Sequence, residues 1–161
     1  MTGLDGLNPD FRDIVALLCD EHAEFLIVGG FAVAFHGHPR ATGDIDLLVR
    51  PSPENAERVF RALVRFGAPV RAAGLTTADL VRPEMVYQIG VPPRRIDVLT
   101  EITGVTFDDA WKTRVVIDWN GRTVGIVGLD ALLANKLASG RPKDLYDVRE
   151  LERVKARRRP R

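Results

Sequence analysis

The stretch FLIVGGFAVAFHGHPRATGDIDLLV, Phe25 to Val49, holds two apolar runs separated by a glycine pair and a polar loop. Phe25-Leu26-Ile27-Val28 reads as a short buried strand. Gly29-Gly30 breaks it, Phe31 to Phe35 reads as a short helix, and His36 to Gly43 is a loop by composition. Asp44 to Val49 reads as a second strand, yet Asp44 and Asp46 stand where an apolar strand wants Val or Ile. Residues i and i+2 of a strand share a face, about 6.6 Å apart along it, so the two carboxylates lie side by side while Ile45, Leu47 and Val49 face the core. Charges leave water at a cost, so such a pair requires a cation, a partner or a chemical task. Mg²⁺ suits it, being a hard ion that takes carboxylate oxygens at about 2.1 Å and keeps room for water and phosphate.

Upstream, Asn8-Pro9-Asp10 opens a helix, with Asn as cap and Pro in the first turn. Phe11, Ile14, Val15, Leu18 and His22 fall on its apolar face, and Cys19 and His22 read as packing residues. Downstream, Pro51-Ser52-Pro53 stops the second strand and starts a helix carrying Ala56, Val59, Phe60, Leu63 and Val64, which Gly67-Ala68-Pro69 ends. Residues 70 to 83 are poorly patterned, with a helical turn at Thr77 to Leu80. Met85 to Ile89 and Arg94 to Leu99 read as a hairpin around Gly90-Val91-Pro92-Pro93. Phe107 to Trp111 is a short helix. Val115 to Trp119 and Thr123 to Val127 flank Asn120-Gly121, whose residues tolerate positive φ. Asp130 to Ser139 is a helix with Leu129, Leu132, Leu133 and Leu137 on one side, stopped by Gly140. Pro142 opens a last helix through Leu145, Val148 and Leu151.

This order predicts an α+β (α/β-like) fold: a mixed β-sheet flanked by helices, with a short helical C-terminal end. The chain reads as one domain over 1–161, with a core of about 10–127, a helical segment of about 128–156 and a basic tail at 155–161.

The composition is that of a soluble globular protein, 45% hydrophobic and 28% charged over 161 residues. No apolar run approaches the ~20 residues of a membrane span. The N-terminus lacks the basic and then apolar order of a signal peptide, and Cys19 has no second cysteine to pair with. The expectation is a cytoplasmic, reduced protein. Net charge is +1, and Lys155, Arg157, Arg158, Arg159 and Arg161 concentrate positive charge at the end; without those five the remainder stands at about −4. The body is therefore no basic nucleic-acid platform, and the tail reads as a solvated, frayed end.

Asp97, in Arg95-Ile96-Asp97-Val98-Leu99, is another acid between apolar residues. If its strand pairs near the first, three carboxylates converge, the layout of a two-metal in-line displacement at phosphorus. Gly29 and Gly30 supply a complementary half, since backbone N–H groups without side chains approach an anion closely at a helix start. His36 and His38 lack the further His or Cys of a metal site. Trp111 and Trp119 read as packing residues. Lys143 and Asp147 have the spacing of a simple helix pair.

The apolar strand, Gly29-Gly30, the short helix, Arg40-x-Thr42-x-Asp44-x-Asp46 and the later Asp97 together resemble the nucleotidyltransferase superfamily, with its polymerase-beta-like fold. Leu132-Leu133-Ala134-Asn135-Lys136 and Gly140-Arg141-Pro142-Lys143-Asp144-Leu145-Tyr146-Asp147 are similar to the C-terminal motif of its bacterial AbiEii-like and MenT-like branch. The resemblance implies that Asp44 and Asp46 bind Mg²⁺ and that Asp97 is the third catalytic and metal-binding carboxylate. It implies a nucleotide site of Gly29, Gly30, Arg40 and Thr42, with Lys136 and Lys143 against triphosphate charge and Asp144 in the adjoining cluster. Members often carry Ser where this chain has Gly30, and larger relatives add a helical domain, so acceptor selection would fall to a partner chain or a second copy.

The implied function is Mg²⁺-dependent transfer of a nucleoside monophosphate from an NTP to an RNA 3′ end such as that of tRNA, a protein or a small molecule. The setting would be a toxin–antitoxin pair, with a cognate partner or a homodimer. The alternative is an inactive nucleotide-binding or interaction module of such a pair. A sugar-nucleotide transferase fits poorly with Gly29-Gly30 on a separate strand. An Asp-x-Asp phosphatase fits poorly with Leu47-Leu48 after Asp46.

Overall fold

The structure, a computed structural model, describes Leu4 and residues 6–159. The chain runs α1 (Pro9–Asp20), β1 (Phe25–Val28), α2 (Gly29–Phe35), β2 (Asp44–Val49), α3 (Pro53–Phe66), β3 (Val86–Ile89), β4 (Arg95–Leu99), α4 (Phe107–Lys112), β5 (Val115–Trp119), β6 (Arg122–Ile126), α5 (Leu129–Ser139) and α6 (Pro142–Arg158). A 3₁₀ turn covers Asp79–Val81. This is the α+β architecture expected, a mixed sheet with helices about it.

Local chemistry sets the boundaries. Asn8 caps α1 by accepting from the Phe11 amide at 3.0 Å, and Ser52 caps α3 by accepting from the Asn55 amide at 3.3 Å. At the β5–β6 turn Asn120 and Gly121 take φ 53° and 79°, the geometry of a tight hairpin.

The six strands lie in the order β3-β4-β2-β1-β6-β5. β1 runs antiparallel to β2 and parallel to β6, and β2 runs parallel to β4. Ile45 and Leu47 of β2 are fully buried while Asp44 and Asp46 are half-buried, the two-faced strand expected from alternation. α1 packs on α3, α2 on β1 and β2, and α5 on α6. The buried amide of Asn55 closes one end of the β1–β2 pair. Its Oδ1 accepts from the Glu24 amide at 2.7 Å, and its Nδ2 donates to the carbonyls of Glu24 and Arg50 at 2.9 and 3.0 Å.

Several expectations need correction. α1 ends at Asp20, and His22 lies beyond it, exposed, at φ 57°. β3 and β6 begin at Val86 and Arg122 rather than Met85 and Thr123. Leu137 and Leu145 are exposed; the inward faces of α5 and α6 carry Lys136, Asp144, Asp147 and Leu151. Leu132, Leu133 and Leu151 are buried as expected; apolar periodicity misplaced only Leu137 and Leu145, because buried ion pairs occupy part of those faces. The tail is not frayed through Arg158, where α6 ends. Lys155 pairs with Asp130 at 2.7 Å, and Arg158 donates to the His36 carbonyl at 3.1 Å. Arg161 lies outside the described residues.

Candidate active site

The site is assembled by register. In the parallel β2–β4 pair Asp46 stands opposite Asp97 and Asp44 opposite Arg95. In the antiparallel β1–β2 pair Val28 stands opposite Asp46, so the first residue of α2 begins beside that carboxylate. Asp44, Asp46 and Asp97 therefore meet Gly29 at one place. The contact is intimate: a Cβ on Gly29, whose φ is +66°, would fall 2.0 Å from Asp46 Oδ2. Only glycine fits there, for both its backbone angle and its lack of a side chain. At the next residue a Cβ would fall 2.7 Å from Thr42 Oγ1. The Thr42 hydroxyl donates to the Asp44 carbonyl at 3.2 Å.

The acids are unequally satisfied. Arg95 donates to Asp44 Oδ2 at 2.6 Å and to the two oxygens of Asp97 at 2.9 and 3.2 Å. Asp44 Oδ1 is buried without a hydrogen-bond partner. Burial, then the Asp97 charge, a hydrogen bond with Asp97 and the Asp44 charge push the Asp46 carboxyl up from 3.8 to about 6. Among the described residues no three or more His, Cys, Asp or Glu side chains form a ready cage around one metal position; a guanidinium stands among these acids instead. The donor set nonetheless fits Mg²⁺. An unpartnered carboxylate oxygen and mutually repelling acids are what a hard, oxygen-seeking cation satisfies, with phosphate and water completing its shell.

Across the cleft, α5 and α6 present a buried charge cluster. Lys136 Nζ lies 3.2 Å from Asp144 Oδ1 and 3.1 Å from Asp147 Oδ2. Arg40, from the loop before β2, reaches the same Asp147 oxygen at 3.0 Å. Arg141 Nε donates to Asp144 Oδ2 at 2.7 Å. Burial alone would raise the Asp144 carboxyl, but the Arg141 and Lys136 contacts override it and hold it below its ordinary value. Asp147 is taken by Lys136 and Arg40 rather than by Lys143, because Lys143 is exposed at the rim.

A cleft of about 310 Å³ joins the two halves. Gly29, Gly30, Arg40, Thr42, Asp44, Asp46, Lys136, Lys143 and Asp144 all line it, and Asp97 stands beside Asp46 beneath it. All ten residues singled out in the sequence thus fall in or next to one cleft. Sequence reasoning missed Arg95, Asp147 and Arg141 as members of the site. The signals were present in spacing: Arg95 is two residues before Asp97 on a strand, and Asp147 is one helical turn after Asp144. His36 takes no part, since its buried ring Nε2 donates to the Val127 carbonyl at 2.7 Å. Trp119 is buried, and Trp111 packs partly buried under Arg114, whose guanidinium carbon lies 3.8 Å from its ring centre.

Comparison with known proteins follows the same line. The family described as nucleotidyl transferase AbiEii toxin, Type IV TA system, matches residues 16–159. Curated protein sequences give no match. Among solved structures, a lincosamide antibiotic adenylyltransferase crystallised with lincomycin is similar, with a TM-score of 0.57 at 14% identity over 92% of this chain and 98% of that one. A candidate nucleotidyltransferase of Thermotoga maritima gives 0.56 at 15% identity over 91% and 95%. An antigenic nucleotidyltransferase-like protein of Paracoccidioides brasiliensis gives 0.51 at 18% identity over 90% and 75%. At these identities the structural likeness speaks for the fold.

Proposed function

The chain belongs to the AbiEii nucleotidyltransferase toxin family, and from that premise we propose that it moves a nucleoside monophosphate from an NTP onto an acceptor hydroxyl within the cleft between β2–β4 and α5–α6. The observation that carries this reading is the register that sets Asp97 opposite Asp46, with Gly29 against Asp46. Asp44 and Asp46 would hold Mg²⁺, with Asp97 as the third ligand; the ion supplies charge neutralisation at the reacting phosphorus.

The chain's own groups divide the remaining work. The amides at the start of α2 face the phosphates, with no side chain to keep them away. Arg40, Thr42, Lys136 and Lys143 line the path of the triphosphate, and Asp144 holds Lys136 in place. Asp97 orients the acceptor hydroxyl and accepts its proton. The hydroxyl oxygen bonds to the α-phosphorus, the α–β phosphoanhydride bond breaks, and pyrophosphate leaves. The acceptor class to test first is an RNA 3′ end, tRNA among them, because the family is a toxin family; proteins and small molecules follow. A cognate antitoxin is the partner this setting implies.

Asp46→Asn leaves the shape of the side chain and removes its charge. Incubated with each labelled triphosphate, Mg²⁺ and total cellular RNA or protein, the variant is expected to lose transfer by at least a hundredfold, in line with the loss of an electrostatic catalytic group. Undiminished transfer by a folded variant would refute the assignment.

A further inference from the structure

Arg95 stands at the first position of β4, opposite Asp44 in register and two residues before Asp97 on the same strand face. Its guanidinium is therefore delivered to the acids by the strand itself. It grips them unequally. Nε and Nη2 form a two-pronged contact with Asp97, at 2.9 and 3.2 Å, whereas Asp44 is held by Nη2 alone, at 2.6 Å. Asp46 receives no hydrogen bond from it, and Asp44 Oδ1 stays unpartnered.

We infer that Arg95 is a positioning residue that serves as a resident counter-cation, holding Asp44 and Asp97 when no divalent metal is bound and giving up Asp44 when one arrives. The inference rests on the proposed role of Asp44 and Asp46 toward Mg²⁺. A divalent ion on those two carboxylates competes with Arg95 for Asp44 and repels its charge. Geometry decides which contact yields. The single contact to Asp44 is released, while the fork on Asp97, a matched planar pair, persists and keeps that carboxylate aimed. The side chain is 28% exposed, so the Nη2 hydrogen released by Asp44 can be left to solvent while Nε and Nη2 stay on Asp97. Arg95 therefore weakens metal binding in the absence of nucleotide and keeps the acids from repelling one another.

The test is Mn²⁺ alone, titrated without nucleotide into the full chain and three variants, read by calorimetry and by melting temperature. Arg95→Gln is expected to bind Mn²⁺ about two- to fivefold more tightly than the wild type, the range set by losing a partly exposed ion pair. Its metal-free melting temperature is expected to fall, and saturating Mn²⁺ to restore it. Arg95→Lys keeps the charge but not the fork, so it should lie between, and it serves if the Gln variant does not fold. Asp46→Asn controls for the site. Equal or weaker Mn²⁺ binding by Arg95→Gln, with binding lost in Asp46→Asn, overturns the counter-cation role and leaves the metal reading intact. Binding unchanged by Asp46→Asn overturns both. Binding that appears only when Arg95 is replaced supports the inference, and binding by neither protein overturns it.

Discussion

At Gly30 the neighbouring loop has already taken the space a side chain would need. A Cβ there would meet Thr42 Oγ1 at 2.7 Å and Thr42 Cβ at 3.0 Å, so a Ser at this position cannot be added without displacing Thr42. A hydroxyl is not missing from this corner; it arrives from Thr42, on the segment leading into β2. Gly30→Ser is expected to destabilise the protein by about 1–3 kcal/mol, the cost of overpacking. Thr42→Gly in the same chain should recover most of that loss, because it clears both contacts. Thermal melts of the two single variants and the double variant check this; simple additivity would show that the residues do not share the space. The sequence made Asp44, Asp46 and Gly29-Gly30 legible because their spacing is local. For Arg95 it offered only the spacing of two from Asp97, and an arginine at a strand start reads as a solvated end until the register of β2 against β4 is known.

The strands and the two C-terminal helices differed in how readily they could be read. Every strand was recognised to within a residue at its ends, since short apolar runs between turn residues carry that signal directly. α5 and α6 were placed correctly as helices, and Leu132, Leu133 and Leu151 face inward as expected, but Leu137 and Leu145 do not, and the buried charged positions Lys136, Asp144 and Asp147 were not seen as part of those faces. Asp144, Asp147 and Leu151 share one face at helical spacing, a pattern that hydrophobicity does not mark. The energetics follow from that burial. Lys136 lies between two buried carboxylates; without it Asp144 keeps Arg141 and Asp147 keeps Arg40, but both lose the buried cation they share. Lys136→Met is therefore expected to cost about 1.5–3 kcal/mol, the loss of charge-assisted contacts to groups that keep another partner, a melting decrease on the order of 5 °C for a chain of this size. A change of under about 1 kcal/mol in denaturant titration would mean that the cluster is solvated.

Over the whole molecule, α6 belongs to the folded body rather than to an appendage. Leu151 is fully buried, Asp144 and Asp147 close the charge cluster, and Lys155 and Arg158 tie the far end to Asp130 and the His36 carbonyl. A chain ended after Gly140 is expected to lose its cooperative melting transition, as followed by circular dichroism, because Lys136 would then lose both of its partners. No helix among the described residues is long and apolar enough to cross a membrane.

The Asn55 clamp at the end of β1 and β2 has a consequence for assembly. A slip of one residue between those strands would turn Asp44 and Asp46 inward and Ile45 and Leu47 outward. Asn55 reaches its partners on Glu24 and Arg50 in only one register. A single amide on α3 thus proofreads the threading of the acids, inspecting the acid-bearing edge from the opposite end of the strands.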